Sequence, residues 1–281
     1  MKKIISGKVR EVFEISDSEL VIVTTDRISA FDVVLPKPVL NKGKVLNALS
    51  LFWFDRTQDI VPNHIFSSDL LDMPTYFHKE EYEERAILVR RLSIIPFECV
   101  VRGYVFGNMW EAYKSNQPFC GVNIQGDYRM AEKLNTPIFT PSTKAHVGHD
   151  EYISYDYMAN AVGAELTARI RDISLELYDT CYRYAYDKGI IIADTKFEFG
   201  MDNEENLYLA DEIFTPDSSR FWNLADYRVG VSPRSYDKQL VRDWLLNNKL
   251  EGEMQFDAVP DEVLLKTSDI YAQCRRRLLD V

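Results

Sequence analysis

One segment combines a short apolar run with strict alternation of charged and apolar residues. Residues 190–193 are apolar and mostly β-branched, which predicts a buried strand. The charged residues that follow are Asp194, Lys196 and Glu198, and they alternate with Thr195, Phe197 and Phe199. In an extended strand the charged side chains would share one face and the phenylalanines the other. Such groups need each other, a metal or a charged ligand if they are buried, whereas an edge strand would leave them in water.

A second apolar stretch follows a polar turn and predicts a hairpin with this strand. If the turn at 201–206 closes near its centre, Asp211 lies across from Lys196 on the same face. A slip of one residue would move Asp211 to the other face, so the sequence leaves the register open. In the first register, Glu198 and Asp211 are two hard oxygen ligands beside a lysine. That set suits Mg²⁺ bridging a polyphosphate.

The rest of the chain mixes helical and extended patterns. Periodicity near 3.6 predicts helices over 45–58, 157–188, 237–247 and 260–279. Asp150 is a candidate N-cap for the second of these, and Gly189 is its C-cap. Alternation predicts strands over 6–15, 20–25, 86–92 and 97–107, whereas 65–84 and 115–142 are irregular.

Three short segments carry basic residues suited to anions or to ion pairs. A glycine precedes Lys8 and Arg10, and a hairpin of this kind can fold over phosphates, although such glycines are more often ordinary turn residues. The turn at 215–220 is rich in hydroxyls and ends on an arginine, which suits an anion. Glu98 and Arg102 share a strand face and can form an ion pair.

The overall charge limits the class of partner. The chain has 281 residues, with 44 acidic against 33 basic side chains, a net charge of −11 and a pI near 5.0. A broad nucleic-acid surface is therefore not expected. An anionic small substrate would need a local basic site that works against the overall field.

Cysteine usage and hydropathy predict a cytoplasmic protein. The four cysteines, Cys99, Cys120, Cys181 and Cys274, are scattered without a C-x-x-C motif, which predicts reduced thiols and neither a disulfide framework nor a zinc site. His146 and His149 lack a third zinc ligand at the usual spacing. No run approaches about 18 apolar residues, and the basic start has no apolar segment long enough for a signal peptide.

Nine segments, in order along most of the chain, match the signatures of one enzyme family. They are Gly7–Arg10, Asp26–Asp32, Lys42–Lys44, Ile95–Arg102, Pro141–Lys144, Gly148–Asp150, Ala193–Gly200, Asp211–Trp222 and Ser235–Gln239. Together they closely resemble the phosphoribosylaminoimidazole-succinocarboxamide synthases, the SAICAR synthetases of purine biosynthesis.

The resemblance implies an α+β fold of two lobes, similar to the protein kinase arrangement, with antiparallel sheets, packed helices and ATP between the lobes. We expect a boundary near the Pro96 hinge, which divides the chain into lobes 1–93 and 94–281. The implied reaction joins L-aspartate to the carboxylate of carboxyaminoimidazole ribonucleotide, with ATP giving ADP and phosphate. Because an ionised carboxylate is a poor electrophile, an acyl phosphate is the simplest activated intermediate.

The resemblance also implies a role for individual residues at the nucleotide and metal. Lys8 and Arg10 would reach the ATP phosphates under the Gly7 turn. Glu198 and Asp211 would hold Mg²⁺. Lys196 and Asp194 complete the expected catalytic set, with Lys196 neutralising charge on the transferring phosphoryl group.

Further residues are implied for the other two substrates. Asp194 would hold the imidazole amine or a ribose hydroxyl, and Arg102 and Arg220 would clamp anionic groups. Lys144, Asp150 and Ser218 would line the same region. The family usually has serine after Gly107 to contact the substrate phosphate; here it is Asn108, whose amide can still donate a hydrogen bond.

Two alternatives remain at this stage. One is an ATP-dependent kinase of a small polyol or inositol phosphate on a similar fold, and the other is a nucleotide-binding scaffold without turnover. Intact Asp194, Lys196, Glu198 and Asp211 argue against the scaffold. The expected partners are small molecules, with neither nucleic acid nor membrane, and the oligomeric state stays open.

Overall fold

Two antiparallel sheets organise the computed structural model, which describes residues 1–144 and 150–280. His146, Gly148 and His149 lie outside the described residues. The elements before the predicted lobe boundary are β1 (Lys2–Ser6), β2 (Arg10–Glu14), β3 (Glu19–Thr24), β4 (Ser29–Ala30), β5 (Val33–Val34), α1 (Lys42–Arg56), β6 (Ile65–Ser67) and β7 (Ala86–Arg90). The strand order of the first sheet is β1-β2-β3-β7-β6, and β4 pairs only with β5.

The second sheet is larger and lies at the centre of the fold. The elements after the boundary are β8 (Ser93–Ile94), β9 (Phe97–Val105), α2 (Asn108–Lys114), β10 (Glu132–Phe139), β11 (Ser142–Thr143), α3 (Tyr155–Val162), α4 (Ala164–Asp187), β12 (Ile190–Met201), β13 (Leu207–Ala210), β14 (Ser219–Asn223), α5 (Gln239–Asn247) and α6 (Asp261–Leu279). The strand order of this second sheet is β10-β9-β12-β13; in addition, β11 pairs with β9, and β8 and β14 pair with β12. The α+β expectation is confirmed.

The main hydrophobic core forms between this sheet and the helices. Phe197 and Phe199 are fully buried on the apolar face of β12. Helix α4 packs behind the sheet, where the hydroxyl of Tyr178 donates a 2.6 Å hydrogen bond to the carbonyl of Ile192. Gly103 on β9 permits this approach, because a Cβ there would lie 2.0 Å from the Tyr178 oxygen.

The two sheets fall on either side of the predicted boundary, but the core crosses it. Helix α1 precedes the boundary, yet Leu49, Trp53 and Phe54 belong to the same buried cluster as Phe197. Helix α1 also packs against α6, near the end of the chain. The division into two lobes at residue 93 therefore stays a prediction.

Several local expectations were wrong in detail. The predicted strand 6–15 begins with the Gly7 turn, and only Arg10–Glu14 forms a strand, β2, which pairs with β1. The helix 157–188 is two helices, α3 and α4, separated by Gly163 at φ +97°. Its N-cap is Ser154, whose side chain accepts from the Tyr157 amide, and not Asp150.

Two further details concern a loop region and helix hydropathy. The segment 115–142 was expected to be irregular, but it contains the eight-residue strand β10. Most positions of this strand are polar and at least partly exposed, so its sequence shows no alternation of apolar and polar residues. The helix ends one residue earlier than expected: Lys188 is the C-cap, and Gly189 follows it at φ +76°. Across the two described ranges, each helix is either too short or too polar to span a bilayer.

Candidate active site

The charged face of β12 forms one continuous row in the folded protein. Asp194, Lys196 and Glu198 alternate with buried Thr195, Phe197 and Phe199, as the period of two predicts. Lys196 lies between the two carboxylates. Strand β9 pairs with the middle of β12, β14 pairs with its first half, and β13 pairs with its last residues. The charges are half-buried or buried, so the solvated edge strand considered above is excluded.

Two arginines from neighbouring strands hold the first carboxylate of the row. Asp194 lies opposite Arg102 of β9 and opposite Arg220 of β14. Both guanidinium groups donate to the same oxygen, Oδ2, over 3.1 Å from Arg102 and 2.8 Å from Arg220. Arg102 also donates to the hydroxyl of Thr140 over 3.1 Å. Two positive charges against one carboxylate leave an excess that suits an incoming anion.

The middle of the row is a half-buried lysine that keeps its charge. Lys196 forms an ion pair with Glu98 of β9, so Glu98 pairs across the sheet and not with Arg102 along its own strand. Burial alone would lower the pKa of Lys196, but the negative charges of Glu98 and Glu198 outweigh it and raise that pKa.

The third residue of the row, Glu198, is a buried carboxylate that stays ionised. It pairs with Lys144, which follows β11. Burial pushes the pKa of Glu198 upward, yet Lys144, Lys196 and Arg10 outweigh that effect and lower it below the ordinary value. A charged carboxylate of this kind is ready to bind a cation.

The hairpin register differs by one residue from the arrangement favoured above. Glu198 lies opposite Ala210, so Asp211 does not lie across from Lys196. Strand β13 ends at Ala210, and Asp211 adopts a left-handed conformation at φ +63°, which removes it from the strand alternation. Asp211 nevertheless stays beside Glu198, because its neighbour is the cross-strand partner of that residue.

A single arginine from the first sheet contacts the end of this hairpin. Arg10 forms ion pairs with both Asp211 and Glu212. Its own position depends on the Gly7 turn, where the Gly7 amide donates to the Arg10 carbonyl over 2.8 Å. Lys8, at the tip of the turn, pairs with Asp32. The predicted phosphate-covering hairpin therefore meets one of the predicted metal ligands, Asp211, directly.

The turn after β13 is held by contacts that the sequence did not reveal. The Ser218 hydroxyl accepts from the Thr215 amide over 3.1 Å, and its carbonyl accepts from the Lys196 amide over 2.9 Å. Buried Asp217 accepts from Lys42 over 2.6 Å and from Tyr271 over 2.7 Å. Ser218 thus shapes the turn, and Lys42 ties it to α1.

Two other expected residues lie at the rim. The Asn108 amide, at the start of α2, donates to the Tyr152 hydroxyl over 2.9 Å. Asp150 borders the residues that the structure does not describe, and its charge acts on Glu98. The described hydrogen bond of Asn108 is to Tyr152 and not to a residue of the row.

Glu98, Glu212 and His64 belong to this neighbourhood but were missed as site residues. Glu212 follows Asp211 directly, and Glu98 sits four residues before Arg102, so both were visible in the sequence. His64 carried no signal: it is buried, and burial together with the positive charge of Arg10 lowers its pKa to about 3.

The donor set determines what cation this site can hold. Among residues 1–144 and 150–280, no three or more His, Cys, Asp or Glu side chains are grouped to hold a metal. Glu198 and Asp211 are instead two hard oxygen donors at neighbouring positions of the β12–β13 hairpin. Such a pair suits Mg²⁺ when phosphate oxygens and water supply the remaining ligands.

Comparison with known proteins places this arrangement in one family. The family model described as SAICAR synthetase matches residues 3–259. A phosphoribosylaminoimidazole-succinocarboxamide synthase of Lachnospira eligens is 47% identical over 280 residues, covering 97% of this chain and 93% of the relative. One of the same name from Chromobacterium violaceum is 46% identical, covering 99% and 98%.

Solved structures agree with these relatives. The SAICAR synthase of Saccharomyces cerevisiae complexed with SAICAR superposes with a TM-score of 0.90 at 39% identity, covering 99% of this chain and 95% of that one. A type-2 SAICAR synthetase in complex with ADP shares the fold, with a TM-score of 0.73 at 22% identity and coverage of 99% and 97%. The chain therefore belongs to the SAICAR synthetase family.

Proposed function

We propose that this protein is the ATP-dependent ligase that joins L-aspartate to the carboxylate of carboxyaminoimidazole ribonucleotide, producing SAICAR, ADP and phosphate. The observation that carries the proposal is the single charged face of β12, where a carboxylate held by two arginines, a charged lysine and an ionised carboxylate follow at two-residue spacing. Family membership supports the reaction, and the geometry supports a role for each group.

The ribonucleotide would bind at the arginine end of the row. Arg102 and Arg220 would move part of their hydrogen bonding from Asp194 to anionic groups of the substrate. Asp194 would then be available to accept from the imidazole amine or from a ribose hydroxyl. Asn108 would donate its amide to the substrate phosphate at the rim. Charge-assisted hydrogen bonds of this kind supply both affinity and orientation.

ATP would bind between the Gly7 turn and the carboxylate end of the row. Lys8 and Arg10 would reach its phosphates, which requires Arg10 to exchange Asp211 and Glu212 for phosphate oxygens. This exchange leaves the charge around the guanidinium group almost unchanged, because one anion replaces another. The hairpin β1–β2 would thereby cover the nucleotide.

Mg²⁺ fits Glu198 together with Asp211, one of the two carboxylates that Arg10 would release. Glu198 and Asp211 would hold the ion, and the bound ion would neutralise negative charge on the phosphates. Glu198 is already ionised near neutral pH, because Lys144 and Lys196 keep its pKa low despite burial. The site therefore needs no proton release from this residue before cation binding.

The chemistry would proceed in two displacements. A carboxylate oxygen of the ribonucleotide attacks the γ-phosphorus, forming the acyl phosphate while ADP leaves, and Lys196 neutralises the transferring group. The amine of L-aspartate then attacks the acyl carbon, loses a proton, and expels phosphate as the amide bond forms. Lys144 and Asp150 would line the region where the ribonucleotide or the amino acid meets the row. Ser218 would position the turn that carries Arg220.

The defining experiment measures ADP and SAICAR formation by the purified full chain with ATP and MgCl₂. We expect ADP release only when both L-aspartate and carboxyaminoimidazole ribonucleotide are present, with one SAICAR per ADP. With an ¹⁸O-labelled substrate carboxylate, label should appear in the released phosphate. ADP release driven by a polyol or an inositol phosphate without L-aspartate would contradict the proposal.

A further inference from the structure

Three buried polar side chains meet at the turn 215–220, and the proposed reaction assigns a role to none of them. One carboxylate oxygen of Asp217 accepts from the Lys42 ammonium group over 2.6 Å, and the other accepts from the Tyr271 hydroxyl over 2.7 Å. The Lys42 nitrogen also lies 5.6 Å from the centre of the Tyr271 ring. Lys42 and Tyr271 are fully buried, and the Asp217 side chain is 8% exposed. These three residues form the Asp217 network.

The Asp217 network adds little net stability for the charge that it buries. Burial would raise the pKa of Asp217, but the positive charges of Lys42 and Lys238 and the Tyr271 hydroxyl outweigh it and lower that pKa, so the carboxylate stays ionised. Removing such an ion pair from water costs about as much as the attraction between its members returns, and apolar side chains of similar volume would stabilise the fold at least as well. The network is therefore better explained by the geometry that it fixes.

The two partners of Asp217 come from different helices. Lys42 is the first residue of α1, and Tyr271 lies within α6. The two helices pack against each other, and the Ser268 hydroxyl of α6 donates a 2.7 Å hydrogen bond to the Leu40 carbonyl shortly before α1. Because two packed helices hold both oxygens of the carboxylate, the network fixes the position of the turn at residue 217.

The same turn contributes groups to the charged row of β12. Ser218 follows Asp217 directly, and its carbonyl accepts from the Lys196 amide over 2.9 Å. Arg220, three residues after Asp217, donates to Asp194 over 2.8 Å. A displacement of Asp217 would therefore reach the arginine end of the row within three residues.

The Tyr271 hydroxyl comes from a part of the chain beyond the family match. The family model covers residues 3–259, which include Lys42 and Asp217 but not Tyr271. Helix α6, Asp261–Leu279, lies wholly after that range, and no residue of it is among the expected site residues. A contribution of α6 to the site therefore follows from the contacts of this structure and not from the family match.

We propose that Tyr271 is a positioning residue for the ribonucleotide: it fixes Asp217 and, through the turn at 215–220, sets the position of Arg220. The inference rests on the proposed function, in which Arg220 binds anionic groups of the ribonucleotide. The proposed ATP contacts come instead from the Gly7 turn and the Glu198 end of the row. Loss of the Tyr271 hydroxyl should therefore affect the ribonucleotide and spare ATP.

Two variants that each remove one tyrosine hydroxyl separate positioning from general stability. Tyr271→Phe removes the donor to Asp217. Tyr184→Phe, the matched control, removes a 2.8 Å hydrogen bond from α4 to the Leu278 carbonyl of α6. We expect Tyr271→Phe to raise the KM for the ribonucleotide about five- to tenfold and to leave the KM for ATP within about twofold, whereas Tyr184→Phe should leave both within about twofold. Equal kinetics in the two variants, or equal increases for ATP and the ribonucleotide, would overturn the proposal.

A double variant tests whether Tyr271 acts through Arg220. In the Arg220→Lys background, Tyr271→Phe should raise the KM for the ribonucleotide by no more than about twofold, because the guanidinium group that it positions is gone. A general loss of stability would instead give independent effects. Increases of the same factor in the wild-type and Arg220→Lys backgrounds would contradict the proposal.

Hydrogen exchange keeps this test separate from the test of the reaction. Mass spectrometry of the full chain without substrates reports on the turn even if the wild-type protein makes no SAICAR. We expect Tyr271→Phe to speed amide exchange at least about fivefold in peptides that cover 215–220, and Tyr184→Phe to leave exchange there unchanged. Equal exchange of this turn in the two variants rejects the proposal, whatever the outcome of the turnover assay. Faster exchange in Tyr271→Phe alone supports the positioning of the turn, even where absent turnover contradicts the proposed function.

Discussion

The two ends of the charged row on β12 are built in different ways. At the Asp194 end, cations are in excess, and Arg102 and Arg220 come from strands hydrogen-bonded to β12 itself. At the Glu198 end, carboxylates are in excess. Their partners are Lys144, which follows a short strand, and Arg10, the first residue after the Gly7 turn in β2. The first end is fixed by strand register, whereas the second depends on connections that can exchange partners.

This difference fits the two kinds of ligand that the ends would meet. A clamp built on paired strands holds an anionic substrate in one orientation. A carboxylate cluster neutralised by residues on turns can release those residues to phosphates and accept a divalent cation in their place. Lys196 lies between the two ends and shares its charge with both sides through Glu98 and Glu198.

The largest effect should come from breaking the carboxylate end. Asp211→Asn removes one of the two proposed Mg²⁺ ligands while keeping the shape of the side chain, so kcat should fall by roughly 100-fold or more. Turnover measured across a MgCl₂ titration checks this, with Glu204→Gln in the exposed β12–β13 turn as the control. Near-wild-type turnover at saturating Mg²⁺ would remove Asp211 from the metal site.

A substitution at the arginine end should change the KM for one substrate only, the ribonucleotide. Arg220→Ala removes a clamp residue, so the KM for the ribonucleotide should rise about 10- to 100-fold, while that for ATP changes little. Arg220→Lys should be intermediate, since an ammonium group cannot bind an anion bidentately. Equal increases in both KM values would show that the two ends are not separate binding regions.

The rigidity attributed to the arginine end can be tested through its packing. Gly103→Ala places a methyl group against the Tyr178 hydroxyl, next to Arg102, and should lower the free energy of unfolding by about 2 kcal/mol. Denaturant unfolding measures the change. In the double variant with Tyr178→Phe, the penalty of Gly103→Ala should shrink, because the closest clashing atom is gone. Strict additivity of the two changes would contradict this packing account.

The smallest expected effect concerns pH and the carboxylate end. His64 has a folded-state pKa of about 3, well below its ordinary value of 6.5, so the unfolded chain binds an extra proton between these values. The stability it contributes is full above pH 6.5 and is lost as pH falls, by up to about 1.4 kcal/mol per pH unit. His64→Phe should flatten the slope of unfolding free energy between pH 6.5 and 5. Equal slopes in both proteins would contradict burial of a neutral His64.

The local sequence pattern predicted the charged row of β12, whereas the rest of the site depends on contacts between residues distant in sequence. The period of two fixed which side chains of β12 share a face, since that depends only on neighbours in sequence. The register at Asp211 was not predictable, because it depends on a left-handed residue that the sequence does not mark. The Lys42–Asp217 pair joins residues 175 positions apart, and only the packing of α1 brings them together.

The division of the row into two ends joined by Lys196 is tested most directly by one variant. Lys196→Gln removes the central charge while leaving every side chain of the two ends in place, so single-turnover SAICAR formation should slow by roughly 100-fold or more. Calorimetric Kd values for ATP with Mg²⁺ and for the ribonucleotide should stay within about threefold of wild type. A wild-type rate of SAICAR formation in this variant would contradict the assignment of β12 as the catalytic centre.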